Sequence, residues 1–170
     1  MYIPFDEMPA TARIWVYQAN RPLNDTEQDY ALQRGQQFAS QWAAHGQDLR
    51  SSVLVQHDYF LIVAVDEQYN AASGCSIDSS VGFVRELEQK FRGPSSVSFF
   101  DRTQIAFWQE GEVLLLPMKD AKAKVSNGEI LPEALIFDNT IPTKEALENR
   151  WQIPVKDSWL VRYIPKEVSS

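Results

Sequence analysis

Residues 51–67 read SSVLVQHDYFLIVAVDE, two runs of strand-forming residues separated by a polar break near His57 and Asp58. Valine, isoleucine, leucine and aromatic residues favour strands, and polar residues such as these are typical of the turns between them. The second run, FLIVAV, has no polar residue at any alternate position. It therefore predicts a strand that is covered on both faces.

The segment before these strands predicts another strand and a capped helix. ARIWVYQA (12–19) is rich in strand formers. Asn24 is followed three residues later by Glu27, which is the spacing of a capping box at the start of a helix. We expect this helix to be closed by His45 and Gly46, because a cation and a glycine commonly end helices.

Gly35 lies on the apolar stripe of this predicted helix, which also carries Phe38 and Trp42. A glycine inside a helix lowers its stability by about 1 kcal/mol relative to alanine. Close packing of Gly35 against a sheet is the expected compensation.

The segment after these strands predicts a second helix over about 76–92 and three more strands. SVSFFD (96–101) is the first of them, and TQIAFWQEGEVLLLPM (103–118) gives two more around a turn at Glu110 and Gly111. The order β-α-β-β-α-β, with a further β, predicts an α+β fold of the ferredoxin-like split β-α-β type. Its two helices would cover one face of an antiparallel sheet.

We predict a single domain with a core at 1–118, a C-terminal extension at 119–165 and a short tail at 166–170. The extension contains a short helix, a strand ALIFD (134–138), a helix opening at Thr143 and a last strand SWLVRYI (158–164). Because several strands are apolar on both faces, the sheet face away from the helices must also be covered. We expect both the extension and a second subunit to contribute, which predicts a homodimer through that face.

Composition and charge limit the class of function. The net charge of −7 and the isoelectric point near 4.8 argue against a nucleic-acid partner, which needs a basic surface. No apolar run is long enough to span a bilayer, and the first fifteen residues lack the basic and apolar regions of a signal peptide. The single cysteine cannot form an internal disulfide. These features predict a cytoplasmic protein.

The octet SGCSIDSS (73–80) contains the only cysteine, just before a helical pattern. A thiol at a helix start feels the positive end of the helix dipole, and N–H groups there can hold an anion. The alternative is structural: Cys75 is a small buried residue, and Asp78 or Ser76 caps the helix. The candidate binding residues of the octet are Ser73, Gly74, Cys75, Ser76 and Asp78.

Five further residues complete the candidate site. Asp66 and Glu67 end the FLIVAV strand and could bind a metal or act as a base, or simply solvate the strand end. His45 could lie beside them, or only close its helix. Asp101 and Arg102 form either an internal ion pair or a substrate clamp. No residue is assigned as catalytic or as a metal ligand, and no cofactor is predicted.

Three functions stay open from the residues alone. The first is a module that binds a small molecule, either an anion or a neutral one, or a partner protein around SGCSIDSS. The second is an enzyme that uses Cys75 as a nucleophile, or Asp66 and Glu67 around a metal. The third is a structural protein that acts through an exposed apolar sheet face.

Seven motifs spread over residues 1–163 resemble those of a family of short bacterial proteins of unknown function, which are often labelled ABC-transporter ATPases. They are MYIPFDEMP, ARIWVYQANRPL, WAAHG, FLIVAVDE, SGCSID, FFDR and KDSW. The resemblance implies a cytoplasmic bacterial protein. The label is disfavoured, because the sequence has neither the GxxxxGK[ST] phosphate loop nor an LSGGQ-like signature.

Overall fold

A computed structural model describes residues 1–93 and 95–166 of the chain, so most of the predicted tail lies outside the described residues. The predicted α+β class is confirmed, because the described residues form both α-helices and antiparallel sheets. The chain forms two compact units. Unit 1 comprises residues 1–101 and 139–148, and unit 2 comprises residues 102–138 and 149–166 of the described chain.

The strands and helices follow in chain order. They are β1 (Arg13–Gln18), α1 (Asp25–Gln41), β2 (Ala43–Ala44), β3 (Gln47–Asp48), β4 (Ser51–Gln56), β5 (Phe60–Val65), α2 (Gly74–Lys90), β6 (Gln104–Gln109), β7 (Glu112–Pro117), α3 (Met118–Ser126), β8 (Leu135–Phe137), α4 (Lys144–Arg150) and β9 (Gln152–Pro154). Short 3₁₀ helices lie at Phe5–Glu7, Val155–Asp157 and Trp159–Tyr163.

The sheet of unit 1 has the order β1-β5-β4, and each neighbouring pair is antiparallel. Every residue of the central strand β5 is buried, as its sequence predicts. Its odd-numbered residues pack with α1 and α2 in one core. Its even-numbered residues Phe60, Ile62 and Ala64 are fully buried within the single chain. A second subunit is therefore not needed to cover this face, and the predicted homodimer has no support from it.

The ferredoxin-like arrangement is not confirmed, because SVSFFD (96–101) forms no strand in the described structure. Two of its backbone N–H groups are bound by side chains of other segments: that of Ser98 donates to Asn20 Oδ1 and that of Phe99 to Glu88 Oε2. The N–H of Val97 donates to the carbonyl of Phe91. The outer edge of β1 is occupied by part of the C-terminal extension, where Thr143 pairs antiparallel with Arg13.

The sheet of unit 2 has the order β7-β6-β8-β9 and is also antiparallel. The predicted turn between β6 and β7 is confirmed, since Glu110 and Gly111 both have positive φ. The predicted strand SWLVRYI is wrong. Ser158 accepts a hydrogen bond from the N–H of Leu160 and thereby starts the 3₁₀ helix Trp159–Tyr163.

Helices α1 and α2 each have 17 residues and pack against the odd-numbered face of the unit 1 sheet. The capping box predicted at the start of α1 is confirmed, with Asn24 and Glu27 each bonding the other's backbone N–H. Within 1–93 and 95–166, no helix combines the length and the apolarity that a membrane crossing requires.

The expected close packing of Gly35 is also confirmed. A Cβ atom built on Gly35 would lie 2.7 Å from Cγ1 and 2.8 Å from Cβ of Val53 on β4. Both distances are shorter than van der Waals contact, so only glycine lets α1 approach the sheet this closely.

We expect Gly35→Ala to lower the free energy of unfolding by about 1–3 kcal/mol, because the added methyl group overpacks the interface between α1 and β4. Gly82→Ala is the matched control. Gly82 is also inside a helix, but a Cβ there meets no atom within 4 Å, so helix propensity alone should raise stability by about 0.5–1 kcal/mol. Urea unfolding of both variants measures the difference. Equal stabilisation by the two substitutions would contradict the close approach.

Candidate functional site

The acids at the end of β5 hold the connection to α2 in shape. Glu67 accepts a hydrogen bond from the N–H of Ala72 through Oε2 (2.9 Å), and its Oε1 lies 3.5 Å from Nη1 of Arg13. Asp66 accepts from the N–H of Gln68 (3.1 Å). Both carboxylates therefore bond groups of the chain itself.

His45 does not close α1, and that prediction is wrong. The helix ends at Gln41, and His45 with Gly46 forms the two-residue turn of the β2–β3 hairpin, where both have positive φ. The side-chain amide of Asn70 donates to the backbone carbonyls of Gln47 and Asp48. The structure thus brings the His45 hairpin next to the segment that joins β5 to α2.

The start of α2 is capped by Ser73, not by Asp78. Ser73 Oγ accepts from the N–H of Ser76 (3.1 Å), and Ser76 Oγ accepts from the N–H of Ser73 (2.7 Å), which completes a capping box. Trp42 Nε1 donates to the carbonyl of Ser76. Asp78 is exposed on the first part of the helix. The two capping hydroxyls of SGCSIDSS are therefore used to start the helix.

Cys75 is exposed in the first turn of α2, so the expectation of a buried structural cysteine is wrong. Gly74 beside it is also exposed, with open space around its Cα. Within the described part of the chain, no side chain forms a hydrogen bond with Sγ of Cys75. A nucleophilic thiol is usually activated by an adjacent base, and this arrangement provides none by direct contact.

Asp101 and Arg102 stand where unit 1 passes into unit 2. Asp101 is half-buried and Arg102 is exposed. These two residues lie outside the cluster at the start of α2. In that cluster, the hydrogen bonds of Glu67, Asn70 and Ser73 link residues 13, 44–48 and 67–76.

A groove of about 400 Å³ runs along the C-terminal half of α2, away from the residues predicted as the site. It is lined by Arg85, Glu88, Gln89, Arg92, Ser96 and Val97. We call this the α2 groove. One wall is the helix, and the other is the 95–97 segment, in which Ser95 is held by a hydrogen bond from Arg21 Nε (3.1 Å).

The two arginines of the α2 groove have no carboxylate partner. Among the described residues, the Arg92 guanidinium forms no hydrogen bond or ion pair, and that of Arg85 contacts only the ring of Phe100, at 4.4 Å from its centroid. By contrast, Arg21 and Arg34 are each paired with a glutamate. Glu88 also lines the groove, where its Oε2 accepts from the N–H of Phe99 (2.8 Å).

Sequence reasoning missed this groove. In the predicted helix over about 76–92, the seven-residue spacing of Arg85 and Arg92 places both on one side, whereas the helix of the structure ends at Lys90. Charged residues at such a spacing more often form an ordinary solvated face. Only the folded position of the 95–97 segment turns that face into one wall of a cavity.

The described residues contain no group of three or more histidine, cysteine, aspartate or glutamate side chains placed to hold a metal ion. Asp66 and Glu67 are instead occupied by the backbone and by Arg13. Comparison of the chain with protein-family models, curated proteins and solved structures found no match in any of the three.

Glu27 supports the rim of the groove through Arg21, whose guanidinium binds it with two hydrogen bonds of 2.8 and 2.9 Å. The hydrogen bonds from Arg21 lower the pKa of Glu27 below its ordinary value of 4.5, although burial opposes them. The stability from this carboxylate is therefore fully present above about pH 4.5 and is lost as the pH falls through the lower folded pKa.

We expect Glu27→Gln to lower the free energy of unfolding by about 1–3 kcal/mol at pH 7, because hydrogen bonds to a charged group are lost. As the pH falls below about 4.5 and through the lower folded pKa of Glu27, the difference from the natural chain should shrink towards zero, since a protonated Glu27 resembles glutamine. Urea unfolding across this pH range provides the measurement. Glu129→Gln, at an exposed ion pair, is the control and should change little. A Glu27 effect that is independent of pH would contradict the assignment.

The exposure of Cys75 predicts that a small thiol reagent labels it readily in the folded protein. We expect the native labelling rate at pH 8 to lie within about tenfold of the rate in urea, because a thiol on the surface needs no opening of the fold. Absorbance of the released thiolate measures both rates. Labelling that occurs only after unfolding would show that the side chain is covered.

Proposed function

We propose that this protein is a binding module for a small anionic molecule, and that the ligand occupies the α2 groove rather than the SGCSIDSS turn. The observation that supports the proposal is the pair of guanidinium groups, Arg85 and Arg92, that face one groove without a carboxylate partner. In a chain with 23 acidic and 16 basic residues, two exposed guanidinium groups that line one groove are a local concentration of positive charge.

The chemistry of the groove fits carboxylate or phosphate groups. A guanidinium presents a planar fork of N–H donors that binds either group with two parallel hydrogen bonds. Gln89 and Ser96 add neutral hydrogen-bonding groups to the same lining. The volume of about 400 Å³ lies within the range of small-molecule sites.

The spacing of the two arginines favours a ligand with two anionic groups. Arg85 lies on α2 and Arg92 lies two residues beyond the end of α2 at Lys90, so each guanidinium can hold one end of a dianion. Glu88 lies between them, and its carboxylate disfavours a negative charge at the middle of the ligand. We therefore propose a class of dicarboxylates or bisphosphates with a neutral, hydroxyl-bearing centre.

A cysteine-dependent enzyme is the second candidate, because Cys75 is exposed at the start of α2. This alternative requires a base that approaches the thiol when substrate binds. Catalytic turnover of a substrate is measured in Cys75→Ser and in the double variant Arg85→Gln, Arg92→Gln. Turnover that is lost in the first and kept in the second would favour the enzyme over the binding module.

The proposal predicts that malate or tartrate, dicarboxylates with hydroxyl groups between their two carboxylates, raises the melting temperature, because a ligand that binds only the folded state stabilises it. At a concentration of 100 times Kd the stabilisation is about 2.7 kcal/mol. Glycerol, which is neutral, should have no such effect at the same concentration. Differential scanning fluorimetry followed by calorimetric titration gives both the shift and the affinity.

The double variant Arg85→Gln, Arg92→Gln should bind the same anion at least tenfold more weakly. Arg150→Gln is the matched control, since it removes one exposed cation outside the groove. Arginines near a helix end also interact with the helix dipole, so the stability of each variant is measured without ligand first. Equal affinity in the double variant and the natural chain, or no stabilisation by any anion, would overturn the proposal.

A further inference from the structure

The 3₁₀ helix Trp159–Tyr163 in unit 2 presents large apolar side chains to solvent. Trp159 is 46% exposed and Val161 is 50% exposed, whereas Leu160 between them is fully buried. Residues three apart in a 3₁₀ helix lie on the same side. Leu160 therefore faces the core of unit 2, and Trp159 lies with Arg162 on the outside. Tyr163 is half-buried: it packs on that core, and its ring also pairs with that of Trp159 at the surface, at 6.3 Å between centroids.

A neighbouring loop extends this apolar surface. Leu131 is 60% exposed, and the next residue, Pro132, accepts a hydrogen bond from the N–H of Lys156 (3.0 Å). The loop is thus joined to the chain just before Trp159. Single exposed apolar residues are common on protein surfaces, whereas a cluster of them is typical of an interaction site.

Two cations flank these residues. The Lys122 Nζ lies 5.4 Å from the centroid of the Tyr163 ring, and the Arg162 guanidinium lies 5.5 Å from it. The exposed carboxylates on the nearest elements are Asp120, Asp157 and Glu133, and Glu129 is ion-paired with Lys124. We call the residues Leu131, Trp159, Val161, Arg162, Tyr163 and Lys122 the Trp159 surface.

The charge of unit 2 differs from that of the rest of the chain. Unit 1 has 15 acidic and 8 basic residues, whereas the described part of unit 2 has 7 acidic and 8 basic residues. The acidity that argues against anionic partners therefore belongs to unit 1. The Trp159 surface does not share it.

We infer that the Trp159 surface is a docking site for an acidic segment of a partner protein. An apolar side chain of that segment packs on Trp159 and Val161, and its carboxylates approach Lys122 and Arg162. Tryptophan, tyrosine and arginine are the residues that contribute most to binding energy at protein interfaces. Complementary charge supplies the orientation of the bound segment. This site is separate from the α2 groove and does not depend on the ligand proposed there.

The test uses a fluorescein-labelled 12-residue peptide with leucine at every third position and glutamate elsewhere. A second peptide has glutamine in place of each glutamate. We expect the acidic peptide to bind the full-length protein at micromolar concentration and the glutamine peptide to bind at least tenfold more weakly. Fluorescence anisotropy measures both affinities, and binding of the acidic peptide should weaken with added salt.

Trp159→Ala and Arg162→Glu should each weaken binding of the acidic peptide at least tenfold. Their matched controls are Tyr69→Ala, which removes an exposed aromatic ring from unit 1, and Arg150→Glu, which reverses another exposed cation of unit 2. Both control variants should bind as the natural chain does. Circular dichroism and thermal unfolding confirm that each variant is folded.

Three results would overturn the inference. The first is no binding of the acidic peptide up to 1 mM, or equal binding by Trp159→Ala. The second is binding to vesicles that contain phosphatidylserine but not to the peptide, which would assign the surface to a lipid. The third is self-association in sedimentation velocity that Trp159→Ala abolishes, which would assign it to a second copy of the chain.

Discussion

The buried ammonium group of Lys144 holds the C-terminal extension in unit 1. Its Nζ donates to the carbonyls of Phe5 (3.0 Å), Asp6 (3.3 Å) and Met8 (2.9 Å), so all three of its protons are used. Burying a charged group is costly unless hydrogen bonds replace its lost water. Three carbonyls at the end of the first 3₁₀ helix provide that replacement. The same contact fixes Thr143 beside Arg13 at the edge of β1.

The edge of β1 is where the predicted fourth strand would have paired. In a split β-α-β sheet, a strand after α2 would be expected to pair with the free edge of β1. Here the extension bonds the start of that edge, through the Arg13–Thr143 pair and the N–H of Ile14, which donates to the carbonyl of Pro142. SVSFFD forms no strand, and the N–H groups of Ser98 and Phe99 bond the side chains of Asn20 and Glu88 instead. Its residues Ser96 and Val97 form the second wall of the α2 groove.

The features predicted correctly from sequence are those that short stretches determine. The Asn24–Glu27 capping box, the turn at Glu110 and Gly111, and the close approach of Gly35 each follow from a few neighbouring residues or one conformational rule. The features predicted wrongly depend on distant partners. His45 was expected to end α1, but it lies in the turn of the β2–β3 hairpin. That hairpin is held by hydrogen bonds from the side chain of Asn70, which is more than twenty residues away in sequence. Likewise, no periodic pattern in the sequence predicts that Lys144 donates to backbone carbonyls near residue 6, at the other end of the chain.

The same limit applies to the candidate site, because residue types alone do not show which groups a side chain will bond. A glycine among serines at a helix start fits both an anion site and a capping box, and only the hydrogen-bond partners distinguish the two. Ser73 and Ser76 bond each other's backbone, which removes their hydroxyls from ligand binding. Arg85 and Arg92 are the reverse case: their spacing in the predicted helix fits a solvated face, and only the folded position of residues 95–97 places a second wall beside them. Both guanidinium groups are exposed along one groove and have no carboxylate partner among the described residues, so their charge is available to another molecule.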